Sequence, residues 1–215
     1  MRKIPFAAGE FFHVYNRGVD KRTIFTQRKD FDRFLQSMEE FNTIEPIGSL
    51  YENNFFKMKF GHRKSKTSKL VNVVCYCLNP NHYHLILEPV IDDGISEFMR
   101  RLSIGYTKYF NIRYKRNGVL FQGRFKSSHI NSNEYLLYTS AYVNLNNLAH
   151  RLRGETFRSS WSEYISSSPK KFCENGVILK QFRNRGEYKT FAEDSLPDII
   201  ERKKLAKELE LLLLE

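Results

Sequence analysis

Two short patterns in this chain bring together side chains able to act on a phosphate. The first is His82-Tyr83-His84. On an extended segment side chains alternate, so both imidazoles project from one face at a spacing that can chelate a single metal ion. Six His in 215 residues produce such a triplet by chance in about one chain in six, so two half-buried strand histidines are an equally ordinary reading. Two His are also too few for a tight metal site, and a third ligand has to come from elsewhere. The second pattern is Tyr142 with Asn146, at i and i+4 and therefore one turn apart on a helix face. A phenol is a weak nucleophile that a nearby metal can help by polarising the scissile phosphate. An Asn carbonyl oxygen suits Mg²⁺ or Mn²⁺ beside imidazoles. The competing reading makes Tyr135, Tyr138 and Tyr142 an aromatic stripe buried against a sheet. A third pattern, Cys75-x-Cys77, would lie across a hairpin from the histidines with Cys77 facing His84. It raises a Cys₂His₂ zinc site, against the commoner fate of apolar-strand cysteines as small buried hydrophobes.

These residues need elements to hold them. FFHVYNRG (11–18) alternates with strand period and ends at a glycine. DFDRFLQSMEEF (30–41) spaces Phe31, Phe34, Leu35, Met38 and Phe41 as an amphipathic helix. LVNVVCYCL (70–78) and HYHLILEPV (82–90) read as strands joined by the turn residues Asn79-Pro80-Asn81. GISEFMRRLSIGYTKYFNIRY (94–114) is a second helix, VLFQGRFKSSHI (119–130) a strand, and NEYLLYTSAYVNLNNLAH (133–150) a helix with Asn133 as N-cap. The order β, α, β, β, α, β, α predicts an α+β fold with helices on an antiparallel sheet. Residues 151–215 change character: a Ser-rich, loop-like stretch, short helical pieces and a terminal helix from DIIERKKLAKELELLLLE. The expected organisation is a domain over 1–150, with a basic variable loop at about 43–69, and a helical extension over 151–215.

Composition narrows the partner. The chain has 35 Lys+Arg against 24 Asp+Glu, a net charge of +11. Residues 57–133 alone hold 14 Lys/Arg and four acids. Within them KMKFGHRKSKTSK (57–69) carries six cations and no acid, either a solvated loop or a surface that tracks phosphates by counterion release. Further on, Tyr106, Tyr109, Phe110 and Tyr114 alternate with Lys108, Arg113, Lys115 and Arg116, and nucleic acid is the expected partner. No apolar run reaches membrane-spanning length, the opening residues lack a signal-peptide core, and no segment pairs a basic face with a strongly apolar one. With 18 Phe and 12 Tyr the chain is not disordered, and three Cys without C-x-x-C spacing make no disulfide framework. A cytoplasmic, nucleoid-associated location is expected.

The motif blocks resemble a known family. YCLNPNHYHLILEP resembles the His-hydrophobic-His block of the single-tyrosine HUH transposases. GISEFMRRLSIGYTKYFN, GVLFQGRFKSSHI and NEYLLYTSAYVNLNN then resemble successive blocks of the REP-associated tyrosine transposases, and SSWSEY with ILKQF…YKTFAED resembles that group's C-terminal extension. The resemblance runs from residue 10 to about 195. It implies a ferredoxin-like HUH fold that cuts single-stranded DNA at hairpin-flanked sites, with Mg²⁺ or Mn²⁺ as cofactor. His82, His84 and Asn146 become metal ligands, and Tyr142 the nucleophile that takes the 5′-phosphate and frees a 3′-hydroxyl. Tyr83 is expected on the opposite face, against a helix, and Tyr138 is the fallback nucleophile. His13, Arg17, Arg63, Lys64, Arg100, Arg101, Lys108, Arg124 and Lys126 are candidate DNA contacts, each also readable as an ordinary surface or strand residue. Asn147 stands where the family often has Pro, and Asn79 where Met is common, both placed outside the chemistry. The extension points to a monomer, with a dimer as the alternative. The competing functional classes are a non-catalytic binder of structured nucleic acid and a zinc-stabilised regulator built on Cys75 and Cys77.

Overall fold

The computed structural model describes residues 5–60, 68–167 and 172–212. Five strands form one antiparallel sheet: β1 (Phe11–Arg17), β2 (Val71–Asn79), β3 (His82–Pro89), β4 (Lys126–Ile130) and the two-residue β5 (Arg158–Ser159), in the order β4-β1-β3-β2-β5. The first four in this order are the ferredoxin-like arrangement, and β5 extends it beyond β2. The helices are α1 (Arg28–Glu40), α2 (Leu50–Phe60), α3 (Gly94–Arg113), α4 (Asn133–Asn144), α5 (Asn146–Ala149), α6 (Trp161–Ile165), α7 (Gly176–Leu179) and α8 (Arg185–Leu212).

Both sheet faces are covered, which explains why β2 reads as almost continuously apolar. On one face Phe12, Val14, Leu85 and Leu87 pack with Phe31, Phe34 and Met38 of α1 and Phe98, Leu102 and Tyr106 of α3. Tyr83 belongs to this core, fully buried with its ring 5.3 Å from that of Phe34. The buried carboxylate of Asp30 pins the two helices. It accepts from the Thr26 and Gln27 amides (2.8 and 2.9 Å) and from the Tyr114 and Tyr109 hydroxyls (2.7 and 3.0 Å). On the other face Val74, Cys75, Cys77 and Ile86 pack under α4, α6, α7 and α8. Tyr164 donates to the Val74 carbonyl (2.8 Å), and the Tyr188 hydroxyl meets Asn144 Nδ2 (2.9 Å) and Ser140 Oγ (3.1 Å). Residues beyond 150 therefore supply a strand and much of this second core.

The β2–β3 hairpin sets the register of the site. Asn79 pairs with His82 across the turn residues Pro80 and Asn81, and Cys77 pairs with His84, as expected. The turn is itself held: the Pro80 carbonyl accepts from Ile24 and Phe25 (2.7 and 2.9 Å), and that of Asn81 from Gly18 (2.8 Å). At Gly18 a Cβ would stand 2.2 Å from the Arg22 carbonyl oxygen, so only glycine permits this close turn after β1.

Several element expectations change. The helix expected over 133–150 breaks at Leu145 (φ −104°, ψ 11°) into α4 and α5, and Ser132 rather than Asn133 is its N-cap, accepting from Tyr135 N at 3.1 Å. The strand expected over 119–130 is confined to Lys126–Ile130, leaving Arg124 in the preceding loop. A helix, α2, occupies 50–60 within the expected basic loop. Its apolar residues point in all directions, so no periodicity betrays it, and it is held by Leu50 against Phe41 and Ile47 and by Asn53 donating to Glu40 (2.6 Å). The Ser-rich stretch contains β5 and α6, and α8 begins well before the expected terminal helix.

Candidate active site

The site lies on the α4 side of the sheet, where the alternation of β1 and β3 puts His13, Tyr15, Arg17, His82 and His84 on one face. Cross-strand pairing sets two rows across it: Cys77, His84, Tyr15 and Lys126 in one, Asn79, His82 and Arg17 in the other. The rings of His82 and His84 are 5.2 Å apart, centroid to centroid, and edge-on. Tyr142, half-buried on α4, stands with its ring 5.4 Å from that of His84 and 5.7 Å from that of His13. Asn146 enters from the start of α5, fully buried.

Hydrogen bonds give these groups defined roles. Asn81 Oδ1, an acceptor, lies 2.7 Å from His82 Nδ1, which therefore carries the proton and leaves Nε2 with its lone pair. That lone pair and Asn146 Oδ1, 3.3 Å apart, converge on one donor, the Asn79 amide nitrogen, at 2.9 and 2.7 Å. Asn79 is in turn held by the Cys77 thiol, 3.5 Å from its Oδ1. The expectation that position 79 stands outside the chemistry is thus corrected: its amide touches two of the three candidate ligands. His84 is oriented by His13, whose Nε2 is 2.9 Å from His84 Nδ1.

Burial dominates the electrostatics. It lowers His13 and His82 to about 4 and His84 well below its usual value, so the imidazoles are neutral and able to act as ligands near pH 7. Burial raises the Tyr142 hydroxyl above the ordinary phenol value. Lys203 of α8 also faces this cluster, and burial lowers its ammonium to about 8. No group of three or more His, Cys, Asp or Glu among the described residues is arranged to hold a metal ion. The donors shown close together are His82 Nε2 and Asn146 Oδ1, 3.3 Å apart, with the His84 ring 5.2 Å from that of His82; neutral imidazole and carboxamide oxygen are donor types that suit Mg²⁺ or Mn²⁺. Burial pushes the Cys75 thiol well up and that of Cys77 to about 12, which opposes the thiolate that zinc would need.

The other sequence candidates separate into groups. His13, Arg17 and Lys126 share the face of the histidine pair, with Arg17 bonded to Gln122. Arg100, Arg101 and Lys108 lie on α3, across the sheet, around a cavity of about 960 Å³ between α1, α2 and α3. Arg100 is bonded to Glu97 (2.7 Å), and Arg101 to Glu97 and the Thr43 carbonyl (both 2.6 Å), so Arg101 ties down a loop. Arg63 and Lys64 fall outside the described residues. The aromatics interleaved with cations on α3 are packing residues: Tyr106 and Phe110 are buried, and Tyr109 and Tyr114 serve Asp30. Of the tyrosine stripe, Tyr138 donates to Asp198 of α8 (2.7 Å) and is raised to about 12, burial first and this carboxylate second. Tyr142 alone of the three stands against the histidines.

Three residues near the site were not among the sequence candidates for it: Asn81, read only as a turn residue, His150 and Lys203. His150, its ring 4.5 Å from that of His82, borders a cleft of about 240 Å³ that also touches Lys21, Asn79 and Asn81. The spacing Tyr142, Asn146, His150 was its available signal. Lys203 had none, since only the return of α8 over α4 and α5 brings it in.

Residues 49–146 match a family model described as "Transposase IS200 like". Comparison with curated protein sequences finds no match. Among solved structures, a REP-associated tyrosine transposase bound to a REP hairpin aligns with a TM-score of 0.51 at 14% identity, over 79% of this chain and 88% of that one. Its likeness is one of fold, including the five-stranded antiparallel sheet with flanking helices. Over 49–146, the span that carries the histidine pair, Tyr142 and Asn146, the chain is similar to the IS200-like transposases.

Proposed function

We propose that this chain nicks and rejoins single-stranded DNA at hairpin-flanked sites, through a covalent 5′-phosphotyrosine on Tyr142. The observation that carries the reading is the placement of Tyr142 beside His84, with His82 Nε2 and Asn146 Oδ1 3.3 Å apart in the same cluster. His82, His84 and Asn146 would hold a divalent cation, Mg²⁺ or Mn²⁺. Such an ion, when bound, would polarise the scissile phosphate and offset the charge that develops on it.

The chain's own residues do the rest. His13 and Asn81 fix the ring orientation of His84 and His82. Tyr142 Oη, a phenol near neutral pH, attacks phosphorus as it loses its proton. The bond from phosphorus to the 3′-oxygen breaks, and the upstream strand leaves with a 3′-hydroxyl. A 3′-hydroxyl attacking the same phosphorus reverses the exchange and restores the phenol. One phosphodiester is traded for another at each step, so rejoining needs no nucleotide cofactor. Arg17 and Lys126, on the same sheet face, are placed to contact flanking phosphates. Tyr142, the histidines and Asn146 meet within one chain, which supports a monomeric enzyme. The DNA partner places its work in the cytoplasm, on the nucleoid.

The test is a denaturing gel of labelled single-stranded hairpins, drawn from the DNA flanking the gene, with Mg²⁺ or Mn²⁺. The expected result is a metal-dependent, SDS-resistant adduct that Tyr142→Phe abolishes and Tyr138→Phe retains. An adduct that survives Tyr142→Phe removes Tyr142 from the chemistry. Tight hairpin binding with no adduct under any condition selects the binding-only reading.

A further inference from the structure

Lys203 sits on α8, outside the segment matched to the transposase family, yet its ammonium is directed into the active site. Its Nζ is removed from solvent and has no hydrogen-bond partner. The groups with which it interacts are His82, His84, His150 and Cys77, none of them a carboxylate. Asp198, on the same helix, is occupied by Tyr138 (2.7 Å) and Arg202 (2.8 Å). A second donor in the same place is also orphaned: Asn146 Nδ2 is buried without an acceptor, although its Oδ1 is engaged. An ammonium out of water with no anion is unfavourable unless a ligand supplies the missing charge. Two unsatisfied donors beside neutral imidazoles and the Tyr142 ring describe a seat for an anion that the protein does not itself provide.

We infer that Lys203 is a phosphate-contacting residue of this site, its ammonium taking a non-bridging oxygen of the phosphodiester that Tyr142 attacks. This rests on the strand-transfer reading. It gives α8 a part in the chemistry: the helix closes the second core and delivers a cation to the site. Tetrahedral phosphate matches the chemistry, because one oxygen can face the ammonium and leave the others free for the cation that His82, His84 and Asn146 would hold.

The probe is inorganic phosphate, titrated into the full chain with chelator present and followed by the ¹⁵N resonances of the His82 and His150 rings. The wild type is expected to show saturable shifts of both rings. Lys203→Met, which keeps the apolar stem, should weaken phosphate binding about tenfold, and Lys203→Arg should restore most of it. Lys203→Gln serves as a second variant, and each is compared at matched melting temperature. Phosphate binding by Lys203→Met equal to wild type, or no shift in the wild type at all, overturns the inference. A Mn²⁺ affinity that rises in Lys203→Met while phosphate affinity stays unchanged also overturns it, because the ammonium would then occupy the cation's place. Failure of the strand-transfer reading is read separately, as absence of the Tyr142 adduct.

Discussion

The two faces of the sheet solve the problem of buried polar groups in opposite ways. Under α1 and α3, the Asp30 carboxylate is fully buried and saturated by two backbone amides and two phenols. Under α4, α5 and α8, neutral imidazoles crowd together while Asn146 Nδ2 and Lys203 Nζ are left without partners. The first face is closed chemically at its carboxylate, although Tyr83 Oη and Arg33 Nε there are also buried without a hydrogen-bond partner. The second is packed around its aromatic core but chemically open, the form that the proposed binding of metal and phosphate would need. The core and the candidate site are thus divided between faces of the same strands: on β3, Tyr83 belongs to one and His82 and His84 to the other.

The comparison can be broken by dissociating the two properties. The largest effect is expected from His84→Ala, which should lower adduct formation at least about a hundredfold, measured as adduct per folded molecule, with little loss of melting temperature. Asp30→Ala should do the reverse. Leaving four donors unsatisfied should cost about 3 kcal/mol, or roughly 6–12 °C of melting temperature, with activity per folded molecule retained at temperatures below the transition. If Asp30→Ala instead abolishes the adduct in folded protein, the faces are not independent.

Acid sharpens the same contrast. His13 and His82 are held down to about 4 by burial, so between that value and about 6.5 the unfolded chain binds protons that the folded one refuses. Stability should therefore be flat above the ordinary histidine value and fall as the pH drops below it, by roughly 1–2 kcal/mol per imidazole at pH 5. Melting curves from pH 7.5 to 5 check the slope, and His13→Phe should flatten it. Next, an equimolar mixture of Tyr142→Phe and His82→Ala should form no adduct, since each site is complete in one chain; restored activity would show a site shared between two copies. The smallest effects concern the surface. Hairpin affinity should fall with salt, and Arg17→Ala or Lys126→Ala should each reduce the salt slope by about one. Arg100→Ala, across the sheet and paired with Glu97, should leave that slope unchanged.

What the sequence made legible follows how local each feature is. The hairpin was readable because Asn79-Pro80-Asn81 marks a turn and strand alternation places His82 and His84 together. Tyr142 and Asn146 were readable because helical spacing survives the break at Leu145. Asn79 was misread: its role depends on Asn146, 67 residues away. Lys203 carried no signal at all, because an Lys on a charged terminal helix looks solvated until α8 is folded back over α4. The α3 aromatics misled for a related reason. A pattern of alternating rings and cations describes a stacking surface and an anchored helix equally well, and the buried Asp30 that distinguishes them lies on another element.

The two-residue turn between β2 and β3 carries a consequence for how this protein can change. Strand side chains alternate, so the face on which His82 and His84 appear is set by counting residues through that turn rather than by their identity. One residue inserted or deleted at Pro80 would turn the imidazoles into the α1/α3 core and bring Tyr83 round to meet Tyr142. Many substitutions across the molecule can be absorbed gradually, but a single change of length at this point would take both imidazoles away from Tyr142 in one step, and with them the proposed chemistry. Inactive descendants of such a gene would then be recognisable by the spacing between Asn79 and His82, even where every residue needed for catalysis is still written in the chain.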